Sequence, residues 1–211
     1  MSPARTTSVV YAVVPVGPLD GAKSRLGAVL DAEERHDLVI RLADATIRSA
    51  VATPAIAETL VITPDDTVRD LALAAGARPM RQRSRGLNAG LREAREEALA
   101  AGATAMLVLP IDLPRVSPAA LGAVVDTLAG DGGPLVAIVP DRHGRGTNAL
   151  LLAPPDIIDL HFGGDSRAAH VAAAAAAGAR VVELDGPLSH DLDTPDDLLA
   201  AQTDASSPLG G

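Results

Sequence analysis

Three times the chain writes Ala-Ala-Gly-Ala, at 74–77, 100–103 and 176–179, each time between a helical pattern and a run of strand length. Glycine takes the left-handed conformation that closes a helix at the position after its C-cap, so each copy reads as a helix end feeding a strand. The spacing of the copies is irregular, which excludes a repeat array. One junction used three times instead constrains the chain to alternate helix and strand in a single α/β domain.

The strand-like runs lie at 9–16, 59–63, 77–82, 105–109, 135–139, 149–153 and 180–184. Two of them, 135–139 and 149–153, are joined by the Gly-rich stretch Pro140 to Asn148, which suits a hairpin better than a crossover. The expected fold is therefore a mixed, mainly parallel sheet flanked by helices. Asp31 with Glu34 three residues later predicts a capping box opening the first helix, whose buried face is expected to carry Leu38, Val39, Leu42, Ala45 and Ser49. Asp65 is expected to cap a second helix, and Ser117 followed by Pro118 another. Residues 1–8 read as a flexible leader, 9–202 as the domain and 203–211 as a disordered tail.

Lys23 is the only lysine among eighteen Lys and Arg residues. It stands in Gly17-Pro-Leu-Asp-Gly-Ala-Lys23-Ser24-Arg25-Leu-Gly27, directly after the first strand. A Gly-rich loop at a strand end lets backbone N–H groups approach an anion, and a compact ammonium enters a crowded phosphate site where a planar guanidinium does not. The loop nearly matches a nucleotide-binding P-loop, but Ala22 stands where that pattern has glycine. A P-loop kinase or NTPase stays open as an alternative, with 105–112 as a hydrophobic strand ending in a metal-binding aspartate. A non-catalytic nucleotide-binding module is a further alternative.

Composition narrows the ligand. A net charge of −9 and only two aromatic side chains, Tyr11 and Phe162, argue against nucleic acid, which needs a basic surface and stacking platforms. No run is long enough to span a bilayer, no cleavage signal is evident and there is no cysteine, so the expectation is a cytoplasmic protein without thiolate metal sites. Small phosphorylated ligands need only a few local cations and a metal ion.

Asp112, delivered by the expected central strand 105–109, and the Asp191-Leu192-Asp193 triplet are the candidate metal ligands, since Mg²⁺ takes carboxylate oxygens plus substrate phosphates. An alternating Asp-x-Asp in extended backbone places both carboxylates on one side. Asp196 and Asp197, after Thr194-Pro195, read as an ordinary helix start. Phe162-Gly163-Gly164-Asp165-Ser166-Arg167 offers glycine amides, a hydroxyl and a helix N-terminus as a second anion pocket, which Thr147 can join. The five histidines have no metal-ligand spacing and read as solvated or core residues.

Taken in order, the first loop, Asp112, the 142–148 turn, the Phe-Gly-Gly-Asp-Ser segment and the Asp-Leu-Asp-Thr-Pro-Asp-Asp-Leu ending resemble the 2-phospho-L-lactate/phosphoenolpyruvate guanylyltransferases of coenzyme F420 biosynthesis, over Val9 to Ala201. The resemblance implies a nucleotidyltransferase, glycosyltransferase-A-like fold. It implies GTP, Mg²⁺ and a small phosphorylated three-carbon acid as reactants, with phosphoenolpyruvate favoured over 2-phospho-L-lactate. Carried over residue by residue, it puts Lys23, Ser24 and Arg25 on the GTP phosphates, with Lys23 and Asp112 catalytic and Asn88 on the nucleoside side. Asp112, Asp191 and Asp193 would take the metal, and Thr147, Gly163 and Ser166 the acceptor's phosphate. The chain departs from the family at Gly17, where a second lysine is common.

Overall fold

The computed structural model describes residues 8–19, 23–130 and 132–203. The expected leader apart from Ser8, the expected tail beyond Thr203, and Asp20, Gly21 and Ala22 of the first loop lie outside them.

Seven strands form one sheet: β1 (Val10–Pro15), β2 (Glu58–Thr63), β3 (Arg78–Arg81), β4 (Ala105–Val108), β5 (Leu135–Pro140), β6 (Thr147–Ala153) and β7 (Arg180–Glu183). Their order is β3-β2-β1-β4-β6-β5-β7. β6 alone runs antiparallel to its neighbours β4 and β5, and the other pairings are parallel. Apolar side chains fill both faces, as a sheet covered on two sides requires. Ala12 and Val14 of β1 and Leu107 of β4 face a core with α1 (Ala32–Val51), α2 (Asp66–Ala74) and α4 (Pro118–Val125). Val13, Met106 and Val108 face the other core with α3 (Leu87–Ala100) and α5 (Ser166–Ala176).

Each Ala-Ala-Gly-Ala junction closes its helix in the same way. Gly76, Gly102 and Gly178 have φ of 83°, 87° and 66°. The following alanine N–H then reaches back to the carbonyl of Ala72, Ala98 or Ala174 at 2.9, 2.9 and 3.0 Å. This is the Schellman arrangement, and any residue with a Cβ would be strained at its glycine. The capping box at Asp31 and Glu34 forms with both hydrogen bonds, and Asp65 and Ser117 cap α2 and α4.

Two local expectations are corrected. The buried face of α1 is Leu38, Val39, Leu42, Ala43, Thr46, Ile47 and Ala50, whereas Ala45 and Ser49 lie at its half-buried margin. The longer stripe through Val39, Ala43, Ile47 and Ala50 wins the core because it buries more apolar surface than one running through Ser49. Thr203, read as the start of the tail, ends α6 (Pro195–Thr203), its hydroxyl donating to the carbonyls of Leu199 and Ala200.

A third, smaller core joins parts far apart in sequence. Leu26 of the first loop, Leu38 and Leu42 of α1, Leu192, and Leu198 and Ala201 of α6 pack together. Among the described residues no helix is long and apolar enough to cross a membrane.

Candidate functional site

The chain runs from β1 outward through β2 to β3, then crosses back to place β4 on the other side of β1. Loops leaving neighbouring strands in opposite directions open a crevice at the carboxyl ends of those strands, where ligands of open α/β sheets bind. The loops that do so here follow β1 and β4, and they carry Lys23 and Asp112.

Lys23 is held in the left-handed region, with φ 51° and ψ 40°. A non-glycine residue there costs about 1–2 kcal/mol, so its contacts must hold it. Its ammonium donates to the carbonyl of Leu192 at 2.5 Å and to Asp193 Oδ1 at 3.0 Å, and lies 3.5 Å from Asp112 Oδ2. Arg25 reaches Asp193 Oδ2 at 3.1 Å from the single 3-10 turn Ser24–Leu26. Lys23, Ser24, Arg25 and Asp193 line an open cleft. The first α-helix begins only at Ala32. A P-loop needs its Lys-Ser pair to open that helix, so the architecture does not support the kinase alternative.

Asp191 and Asp193 lie in an unpaired segment rather than a strand, but Leu192 between them is fully buried, and the N–H of Leu192 donates to the carbonyl of Asp112 at 2.8 Å. The three candidate aspartates are thereby brought to one place. Asp191 Oδ1 is buried without a hydrogen-bond partner. Burial first, then the charges of Asp112 and Asp193, push its carboxyl above the usual carboxylate range against its backbone hydrogen bond and Asn148. A half-buried, mutually repelling set of carboxylates with an orphaned oxygen is the donor chemistry of a hard divalent cation. Both oxygens of Asp193 are taken by Lys23 and Arg25, and among the described residues no three acidic or histidine side chains already surround one point.

Around the corner of the sheet, Ser166 Oγ donates to Thr147 Oγ1 at 3.2 Å, and both residues are buried. Gly163, with φ 139°, turns the chain into α5, and the N–H of Ser166 meets its carbonyl at 3.3 Å. These three expected residues are brought together. Asn88, near the start of α3, is engaged in both directions by Phe162: its amide donates to the carbonyl at 2.9 Å and accepts from the N–H at 2.8 Å.

Three residues that hold the site, Asn148, Asp197 and Arg142, are not assigned to it by the sequence. Asn148 donates to the carbonyl of Leu188 at 2.9 Å and supports Asp191. Asp197 Oδ2 accepts from the N–H groups of Asp193 and Thr194 and from the Thr194 hydroxyl, and the carboxylate pairs with Arg142 from the β5–β6 turn. Burial opposes its ionisation, but the Thr194 hydroxyl, the Asp193 N–H and Arg142 together hold it below the usual range. The helix-start reading of Asp197 is right as far as it goes. Its second partner lies 55 residues earlier in the chain, beyond any local pattern.

The family described as "Guanylyl transferase CofC like" matches residues 10–203. A protein named phosphoenolpyruvate guanylyltransferase from Rubrobacter xylanophilus is 44% identical over 190 residues, covering 90% of this chain and 91% of that one. A protein of the same name from Sphaerobacter thermophilus is 42% identical over 188 residues, covering 89% of each. Among solved structures, a putative nucleotide-diphospho-sugar transferase from Desulfovibrio desulfuricans superposes with a TM-score of 0.75 at 18% identity, over 95% of this chain and 90% of that one. A nucleotidyl transferase from Methanothermobacter superposes at 0.63 with 21% identity, over 91% and 95%. These two likenesses concern the fold.

Proposed function

The chain belongs to the CofC-like guanylyl transferases, and from that premise we propose that it transfers GMP from GTP to the phosphate of phosphoenolpyruvate, releasing pyrophosphate, as a step of coenzyme F420 biosynthesis. The observation that carries the reading is the meeting of Lys23, Asp112, Asp191 and Asp193 at the carboxyl edge of the sheet, cations of the first loop against carboxylates of the last. The choice of phosphoenolpyruvate over 2-phospho-L-lactate follows the names of the relatives. The reading includes a single domain over residues 9–202 working in the cytoplasm.

A phosphate oxygen of the acid attacks the α-phosphorus of GTP in line, the bond from that phosphorus to the bridging oxygen of the β-phosphate breaks, and pyrophosphate leaves with the electron pair. The nucleophile is already ionised at neutral pH, so no general base is required, in keeping with a site of carboxylates and cations. Lys23 and Arg25 neutralise charge on the leaving phosphates, and Ser24 lies on the same cleft wall. Asp112, Asp191 and Asp193 are the residues that would hold Mg²⁺, and their crowding and the orphaned oxygen of Asp191 fit it. Bound there, the ion would supply positive charge to the phosphate oxygens. The ammonium of Lys23 supplies counter-charge to Asp112 and Asp193. Thr147, Gly163 and Ser166 hold the acceptor's phosphate, and Asn88 shapes the nucleoside side through the Phe162 loop that it clasps.

The test is pyrophosphate release from GTP and Mg²⁺ with phosphoenolpyruvate, 2-phospho-L-lactate or 3-phosphoglycerate in turn, and ATP as the control nucleotide. Release with GTP that depends on phosphoenolpyruvate is expected. Asp112→Asn should fold normally and lose turnover by at least a hundredfold, on the order of one removed transition-state contact. Near-normal turnover of that variant with Mg²⁺ overturns the assignment.

A further inference from the structure

His170 of α5 is fully buried and takes no part in the chemistry above. Three contacts meet on its ring. The N–H of His161 donates to Nε2 at 3.1 Å, Nδ1 lies 3.1 Å from Thr147 Oγ1, and the Phe162 ring packs edge-on with centroids 5.2 Å apart. A ring nitrogen that accepts an N–H carries no hydrogen of its own. Burial, and secondarily His161, lowers the pKa of the ring to about 4, so at neutral pH it is uncharged and its one hydrogen sits on Nδ1.

The hydrogens can then be counted. Nδ1–H donates to Thr147 Oγ1, and one of the hydroxyls of Thr147 and Ser166 donates to the other. Three hydrogens serve two contacts, so one hydroxyl hydrogen is left over whichever way the pair is turned. With the opposite tautomer Thr147 would donate to Nδ1 and Ser166 to Thr147, and none would remain. A phosphate offers only acceptors, so the first arrangement suits it and the second does not.

We propose that His170 is a positioning residue whose fixed Nδ1–H tautomer keeps the Thr147–Ser166 hydroxyl pair a net hydrogen-bond donor toward the phosphate of the acceptor acid. This rests on the placement of that phosphate at Thr147 and Ser166. The same ring ties the His161–Phe162 segment to β6 and α5, so donor polarity and loop position are set by one side chain.

Two amide variants separate the ring's two roles. The Asn amide nitrogen stands near Nδ1 and can still donate to Thr147, whereas the Gln carbonyl reaches the Nε2 position and keeps only the bond from His161. His170→Gln still leaves one hydroxyl hydrogen over, but without the ring's donor nothing fixes Thr147, so the KM for phosphoenolpyruvate should rise about tenfold as that positioned hydrogen bond is weakened, with the KM for GTP within about twofold. His170→Asn should stay within about threefold of wild type for both. Nitrogen-15 spectra of the imidazole in the wild-type protein at neutral pH should show a protonated Nδ1 and a bare Nε2, a readout that needs no variant to fold. The opposite tautomer, a folded His170→Gln protein with unchanged acceptor KM, or equal effects of both substitutions overturns the proposal. Thr147→Val distinguishes the two levels: an unchanged acceptor KM removes the phosphate from this site altogether, while a raised one beside an unchanged His170→Gln protein refutes the role of His170 alone.

Discussion

Lys23 shows why residue type matters at this site. Its ammonium meets one carbonyl and two carboxylates from two separate loops, a set that a tetrahedral donor can satisfy and a planar guanidinium cannot. The same reasoning bears on Gly17, where the resemblance drawn from the sequence implies a second lysine. A Cβ built there meets nothing within 4 Å, so a longer side chain is accommodated. Gly17→Lys is expected to lower the KM for GTP about twofold to fivefold, the scale of an exposed ion pair, and steady-state kinetics at rising salt should show the gain shrinking. Asp191 carries the opposite balance. Its raised pKa means that the folded chain holds the proton more tightly than the unfolded chain, so the contribution is favourable at low pH and is lost as pH rises through the folded value. Asp191→Asn should therefore raise the Tm at pH 7 while abolishing Mg²⁺-dependent pyrophosphate release, which calorimetry and assay of one preparation can check. A carboxylate that weakens the fold at working pH is retained for what it binds.

Among the elements, α6 is fixed through Asp197, which caps its own helix and pairs with Arg142 of the β5–β6 turn. Asp197→Asn should lower stability by about 1–3 kcal/mol at pH 7, the range for disrupting a buried charged hydrogen-bond group. Because the folded pKa is depressed, that stability is present above the unfolded value near 4 and disappears as pH falls through the folded one. Denaturant melts of the two proteins should thus converge toward acid pH. What was legible in the sequence follows the same division between local and distant. The Schellman glycines, the Asp31–Glu34 box, the Asp65 and Ser117 caps and the hairpin are set by neighbours a few residues apart, and they appear in the structure where the pattern placed them. Lys23 stood out because it is the sole lysine. The pairing of Arg142 with Asp197 and the contacts of His170 with Thr147 and His161 were hidden, since each joins elements whose proximity only the finished sheet creates. The misplaced face of α1 is an intermediate case: its period was right, but small residues such as Ala45 and Ala43 give little to choose between adjacent stripes.

For the molecule as a whole, ligand and fold are linked through the meeting of first and last loops. GTP with Mg²⁺ at a hundredfold excess over Kd should stabilise the chain by about 2.7 kcal/mol, roughly 5–10 °C in Tm for a chain of this size. Thermal scans should show the rise reduced when Mg²⁺ is withheld, because the ligand then faces carboxylates that Lys23 and Arg25 neutralise only in part. The contact that closes the site, Lys23 to Asp193, spans 170 positions of sequence, and the small leucine core beneath it draws on both loops. During synthesis the N-terminal strands and helices leave the ribosome first. A nascent or prematurely terminated chain can thus display the cationic loop yet lack the Asp191–Asp193 carboxylates and α6. Translation must pass the last aspartate before the site is whole, so completeness of the polypeptide is itself a condition for turning over GTP.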